Sequence, residues 1–277
     1  LKRCCWIAAL LGLFIAANAS AQVYMKAGSP AFIFEEKVNV RDTPSTEGKA
    51  VVLLTRGTKV KILEQGKDVV TLYDIPAFWY KVEYKAGASG WVWGGLLADR
   101  TATGDVDADG KPEIILMRAS NFGHFEESLY AAADLAILDG STTWTFDVTM
   151  AGEGYWNSAR VVTAEFGKTL TSFLILSSSF GDGPYGATNE RLLAITPDKA
   201  LIALIDTESY SDDSGPRAEK RSTIEFKKID GITYIIVIVV EERLDEHGDK
   251  AYSVYQMTKY RLSDYWELIE WHDYQAM

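Results

Sequence analysis

The chain has 277 residues, 47% of them hydrophobic, and a formal net charge of −11. So acidic a protein is a poor partner for nucleic acid or an anionic lipid surface. Its length is enough for two domains with cores of their own.

The first elements in chain order are those of an export signal. Lys2 and Arg3 give a basic start, residues 6–17 form a short apolar run, and Ala19-Ser20-Ala21 offers a small-residue cleavage site before Gln22. A signal peptide is therefore expected over residues 1–21, with cleavage after Ala19 as a near alternative. The run is too short to span a bilayer comfortably, so no transmembrane segment is expected after cleavage. Cys4 and Cys5 are the two cysteines, and both precede the run. A lipoprotein cysteine would come after it, so no lipid anchor is expected. The processed chain would be periplasmic or secreted, free of cysteine, and held together by its cores alone.

Charge divides the rest of the chain. Residues 22–99 carry 10 Lys/Arg and 9 Asp/Glu, whereas residues 100–277 carry 16 and 30. The contrast places a domain boundary near Asp99-Arg100, after a linker over residues 22–31. The acidic C-terminal part suits cations, basic partners or simple solubility, and solubility ranks first.

Residues 32–99 read as a small barrel of five or six short strands. Val38-Asn39-Val40-Arg41 opens it, Pro44 and Ser45 turn the chain, and Arg56-Gly57-Thr58 separates two further strands. Trp79-Tyr80-Lys81-Val82 and Gly90-Trp91-Val92-Trp93-Gly94 supply the last two. Alternation puts Val92 in the core and Trp91 and Trp93 on the other face, at least one of them accessible. Residues 69–78 make a connection longer than a minimal turn. This order of motifs resembles the bacterial SH3-like domain over about a quarter of the chain. The resemblance implies a binding module for a peptide, peptidoglycan or another envelope protein, and ligand-face candidates Tyr73, Trp79, Trp91 and Trp93. For Trp79 and Trp91 core packing is the stronger reading, while Tyr73 and Trp93 stand even.

Gly104-Asp105-Val106-Asp107-Ala108-Asp109-Gly110-Lys111-Pro112-Glu113 opens the acidic part. Carboxylates at positions 1, 3, 5 and 9, with Gly at 6 and a main-chain carbonyl at Lys111, offer most of the hard oxygen ligands of a Ca²⁺ ion. Leu116 stands where an EF-hand needs Glu, and a strand comes next instead of a helix. The loop resembles the calcium loop of integrin-type (FG-GAP) propeller repeats, with Glu113 in place of the last Asp. That resemblance implies a structural Ca²⁺ held by Asp105, Asp107, Asp109, Lys111 and Glu113. A solvated acidic turn is the competing reading. No second such loop occurs, although a full propeller would repeat it every ~40–50 residues.

Apolar β-rich runs continue to the C-terminus, at residues 114–117, 144–148, 170–176, 192–195, 201–205, 223–226, 232–240, 254–257 and 266–271. Residues 131–138 also lean to strand. Asp139-Gly140, Pro197-Asp198, Asp230-Gly231 and residues 247–249 are hairpin signals. Residues 209–220 read as a long exposed loop, and residues 177–190 as a wide hairpin connection or a ligand-contact loop. The run 232–240 reads as a strand buried on both faces. The expected fold is all-β: a small SH3-like barrel followed by a larger antiparallel β domain over residues 100–277, part propeller or sandwich.

Enzyme signatures are sparse. Without cysteine the processed chain has no thiolate nucleophile. His124, His247 and His272 show no metallopeptidase spacing, and no Gly-x-Ser-x-Gly elbow occurs. The reading is a non-catalytic exported binding protein. The alternative is an envelope hydrolase whose site lies in residues 100–277.

Overall fold

Strands dominate because β-branched and aromatic runs alternate with Gly, Asp and Pro turns at short intervals. The computed structural model describes residues 25–73, 75–98, 100–119, 123–125, 128–151, 155–166, 169–182, 185–212, 217–245, 247, 249–263 and 266–275. The signal peptide expected over residues 1–21 lies outside them. Among the described residues there are twenty strands, one 3-10 turn and no α-helix, so the all-β expectation holds.

Seven strands form the first sheet: β1 (Pro30–Ile33), β2 (Lys37–Arg41), β3 (Ala50–Thr55), β4 (Lys59–Leu72), β5 (Ile75–Lys85), β6 (Ala88–Trp93) and β7 (Leu97–Ala98). Their order is β3-β2-β6-β5-β4-β1-β7, with β3 and β7 at the ends, so the ladder does not close into a barrel. It wraps nonetheless. Leu54 of β3 and Leu97 of β7 share one core with Ile33, Val38, Val40, Ile62, Tyr80, Val82 and Val92. A flat seven-stranded sheet could not bring its two edge strands to one cluster. Gly57, at φ +78°, makes the predicted turn between β3 and β4. Most of the connection expected at residues 69–78 is strand, because β4 runs to Leu72 and β5 starts at Ile75 in a long hairpin beyond the core.

Thirteen more strands make up the acidic part. β8 (Arg100–Gly104), β9 (Glu113–Ala119), β11 (Ser128–Asp139) and β12 (Thr142–Ala151) form an antiparallel meander, and β10 (Gly123–Phe125) pairs with the first residues of β11. An eight-stranded sheet then runs in chain order through β13 (Tyr155–Phe166), β14 (Thr169–Asp182), β15 (Tyr185–Ile195), β16 (Leu201–Asp212), β17 (Ala218–Ile229), β18 (Ile232–Leu244), β19 (Lys250–Leu262) and β20 (Leu268–Gln275). β16 and β17 pair only from Tyr210–Asp212 to Ala218–Lys220 and then part. At the fork a hydroxyl takes over from the ladder: Ser222 N donates to Ser209 Oγ at 2.8 Å, and Ser222 Oγ donates to Glu208 O at 2.6 Å.

The fork lets the large sheet fold over itself. One core joins Ile115, Met117, Leu135 and Ile137 of the small sheet to Leu174, Leu176, Leu193 and Ile195 of the large one. The opposite face of β14 and β15, with Phe173, Ile175, Leu192 and Ala194, packs on Ile224, Ile235 and Val237. Three layers thus stack in chain order, the five-stranded sheet and the two four-stranded halves of the large one. β14, in the middle layer, is buried on both faces through residues 171–176. The run 232–240, expected to be buried throughout, has adjacent buried residues only at Ile235, Ile236 and Val237. Two expected loops are ladders instead. β14 and β15 pair out to Asp182 and Tyr185, and β16 and β17 occupy most of residues 209–220. No helix among the described residues is long and apolar enough to cross a membrane.

Candidate functional site

Two regions carry the predicted site residues. The first is the outer hairpin of β4 and β5 with the neighbouring β6. Trp79 and Trp93 are direct cross-strand partners on β5 and β6, one position away from the core residues Tyr80 and Val92. They point away from that core, yet they are only 5% and 1% exposed. Trp93, for which ligand face and core packing stood even, is therefore buried, and Trp91 is the more accessible of the pair. The Trp93 ring lies on Gly95, where a Cβ would meet it at 2.2 Å, and its Nε1 donates to Val70 O at 3.0 Å. Val92 is in the core as expected, and Trp91 is half-buried.

Tyr73 is the exposed member of the group, at 84%. It sits at φ +52°, a left-handed conformation that costs a non-glycine residue about 1–2 kcal/mol. Its ring stands edge-on to Trp93, with centroids 6.3 Å apart. The Trp79 indole is less well placed: its Nε1 is buried without a hydrogen-bond partner. A buried donor left unpaired costs about 1–3 kcal/mol.

A basic groove of about 580 Å³ lies elsewhere on the first sheet, lined by Lys59, Lys61, Glu83, Tyr84 and Lys85 among others. Glu83 Oε1 there accepts from Gly87 N at 3.1 Å.

The second region is the loop between β8 and β9. It places carboxylate oxygens of Asp105, Asp107 and Asp109 within 4.8 Å of one another, the metal-compatible grouping found among the described residues. Left-handed backbone at Ala108 and Gly110, φ +60° and +89°, coils the loop. Asp105 accepts from Asp109 N and Gly110 N, both at 3.0 Å, and Asp109 accepts from Lys111 N at 2.8 Å. Glu113 is turned inward, 2% exposed, and its Oε2 accepts from Val106 N at 2.7 Å. Burial is the main cause that pushes the Glu113 carboxyl above its ordinary range, and the three aspartates add to it. The hydrogen bond from the Lys111 ammonium holds Asp109 below its ordinary range.

One partner escaped the sequence reading. Lys199, in the β15–β16 turn, places its ammonium 2.5 Å from Asp107 Oδ2 and 4.2 Å from the Trp144 ring centroid. The donor set fits a hard divalent cation in ligand type and spacing. A cation there would compete with Lys199 for Asp107. Nothing in the sequence spacing signals a residue 92 positions away. The left-handed turn that aims it, Lys199 at φ +67°, is a property of the folded hairpin.

Of the three histidines, His247 is exposed in the β18–β19 turn, His124 is on β10 and His272 on β20. No curated protein and no solved structure matches the chain. Residues 36–98, from the residue before β2 to the end of β7, match the bacterial SH3 domain family, which leaves β1 as an added strand in the sheet.

Proposed function

We propose that this is an exported protein of the cell envelope that binds without catalysis. Its SH3 domain holds a peptide or a wall component, and its acidic part is a calcium-stabilised β scaffold. The observation that carries the reading is Tyr73, an exposed aromatic ring held in a costly backbone conformation on a domain of a binding family. A rigid aromatic offers a large contact area to a peptide or glycan at small entropic cost. Half-buried Trp91 would extend that surface.

Asp105, Asp107 and Asp109 would hold the Ca²⁺, with the Lys111 carbonyl and Glu113, which accepts from Val106 N, as the further ligands the loop offers. The ion would stiffen the loop that leads into β9, a structural service. Retention of the purified full chain on peptidoglycan tests the binding role. The expected result is retention by the wild type and loss of it in Tyr73→Ala. No retention by the wild type refutes the wall-binding role.

A further inference from the structure

Trp79 and Trp93 lie on the side of β5 and β6 opposite the core, where alternation leads to solvent. The outer part of β4 and the turn residue after it, residues 66–73, lie against them instead. Gly66 lies against Trp79, so close that a Cβ there would meet the Trp79 carbonyl at 3.1 Å. Val70 O takes the Trp93 indole proton, and Tyr73 stands over the Trp93 ring. The Trp79 Nε1–H, on the residue paired with Trp93, is buried and has no acceptor. Leaving a buried donor unpaired is costly, and Gln65 Oε1, a buried acceptor that is itself unpaired, does not take it.

An indole nitrogen only donates, so what completes it is an acceptor. Burial there disfavours a desolvated charge. A neutral carbonyl oxygen fits both conditions. The cover is built to lift. Register shifts at Ile62/Glu64 and Gln65/Val69 interrupt the β4–β5 ladder at its base. Pro76, opposite Thr71, brings no N–H to the outer ladder. Swinging the hairpin out about the second shift breaks the Trp93–Val70 bond and the Tyr73–Trp93 contact, while its own four outer pairs move as a unit.

We propose that the Trp79 Nε1–H anchors a covered subsite for the carbonyl oxygen of a neutral amide, with residues 66–73 as the cover that opens to admit it. The subsite rests on the reading of the SH3 domain as a binding module and names the group that module recognises. Wall peptides and N-acetylated sugars both carry such an amide, and two probes separate them.

The test uses the full chain labelled with ¹⁵N, and the Trp79 indole resonance is assigned from its loss in Trp79→Phe. The probes are acetyl-Ala-Ala-Ala-amide and chitotriose. One probe is expected to move the Trp79 resonance downfield. Trp79→Phe should bind that probe at least tenfold more weakly and melt close to wild type, because discarding the unpaired donor offsets the smaller ring. A response to the peptide alone assigns a peptide amide, and to the sugar alone an N-acetyl group. Trp93→Phe, which frees Val70 of the cover from its bond to the indole, should bind a few-fold more tightly. The subsite is overturned if neither probe moves the Trp79 resonance, or if Trp79→Phe binds as wild type does. Unchanged affinity in Trp93→Phe overturns the cover. Equal peptidoglycan retention by wild type and Trp79→Phe also overturns the subsite but leaves the module reading standing.

Discussion

Arg118 of β9 donates through Nη1 to Glu35 Oε1, at 2.6 Å, across the junction between the SH3 domain and the acidic part. The same nitrogen donates to Gly95 O at 2.8 Å, and Nε donates to Asp134 Oδ2 at 3.0 Å. The guanidinium also lies 4.2 Å from the centroid of the Phe34 ring, which packs with Ala98, Leu116 and Ala136. A planar fork of five donors is the one side chain that can serve all these partners. The SH3 domain is therefore not a bead on a string: its position is set by a packed and charge-matched contact.

Removing Arg118 leaves Asp134, about one-sixth exposed, without its cation. Losing one partner of such a pair costs about 3 kcal/mol or more. Arg118→Ala is expected to lower stability by roughly that amount and to split a single unfolding transition into two. Calorimetry reads both. One unchanged transition in the variant would show that the junction does not couple the two parts.

This junction also marks the limit of what the sequence discloses. Strand positions were legible wherever apolar runs met Asp-Gly or Pro turns, as at Asp139-Gly140 and Asp230-Gly231, because those signals act within a few residues. β13 was missed, since Trp156, Asn157 and Ser158 interrupt its apolar pattern. Burial was legible for Val92 but not for Trp93. Alternation gives the face a side chain takes, not whether a later hairpin covers that face. Arg118–Glu35 and Lys199–Asp107 join residues 83 and 92 positions apart. Such pairs are fixed by how the layers stack, which no local spacing encodes.

Lys199 sets how the carboxylate loop should respond to calcium. Its ammonium already neutralises Asp107, so a divalent ion must displace it. Calcium is expected to raise the melting temperature over a chelated sample, and Asp107→Ala to abolish the difference. Lys199→Met removes the competitor and should tighten calcium binding several-fold, although it also loses the contact with Trp144. A titration followed by calorimetry distinguishes the variants. Identical melting with calcium and with chelator would reduce the loop to a solvated turn tied down by lysine.

Glu113 gives the metal-free protein a pH dependence of a definite sign. Its folded-state pKa is raised by burial, so between the ordinary carboxyl value and the raised one the native state binds more protons than the unfolded state. Stability from this group is complete below the ordinary value and is lost as pH rises through the raised one. Glu113→Gln should flatten that part of the stability profile and be no less stable than wild type at pH 7, the aspartates being at hand to accept from the new amide. Urea denaturation across pH 4 to 7 in chelator checks it. A parallel profile in the variant would mean that Glu113 is not the group responsible.

Tyr73 separates binding from stability better than either buried tryptophan does. Trp93 is packed on Gly95 and hydrogen-bonded to Val70, so Trp93→Ala should cost about 3–5 kcal/mol and confound any binding assay. Tyr73→Gly gives up an edge-on aromatic contact worth about 0.5–1.5 kcal/mol at most, and less for so exposed a ring. Glycine also adds about 0.5–1 kcal/mol of unfolded-state entropy. Against these losses it relieves a left-handed backbone that costs tyrosine about 1–2 kcal/mol. The terms offset, so Tyr73→Gly is expected to unfold in urea within about 0.5 kcal/mol of wild type while its retention on peptidoglycan falls. Retention equal to wild type at unchanged stability would remove Tyr73 from the contact surface. The strain at residue 73 would then belong to the hairpin turn alone.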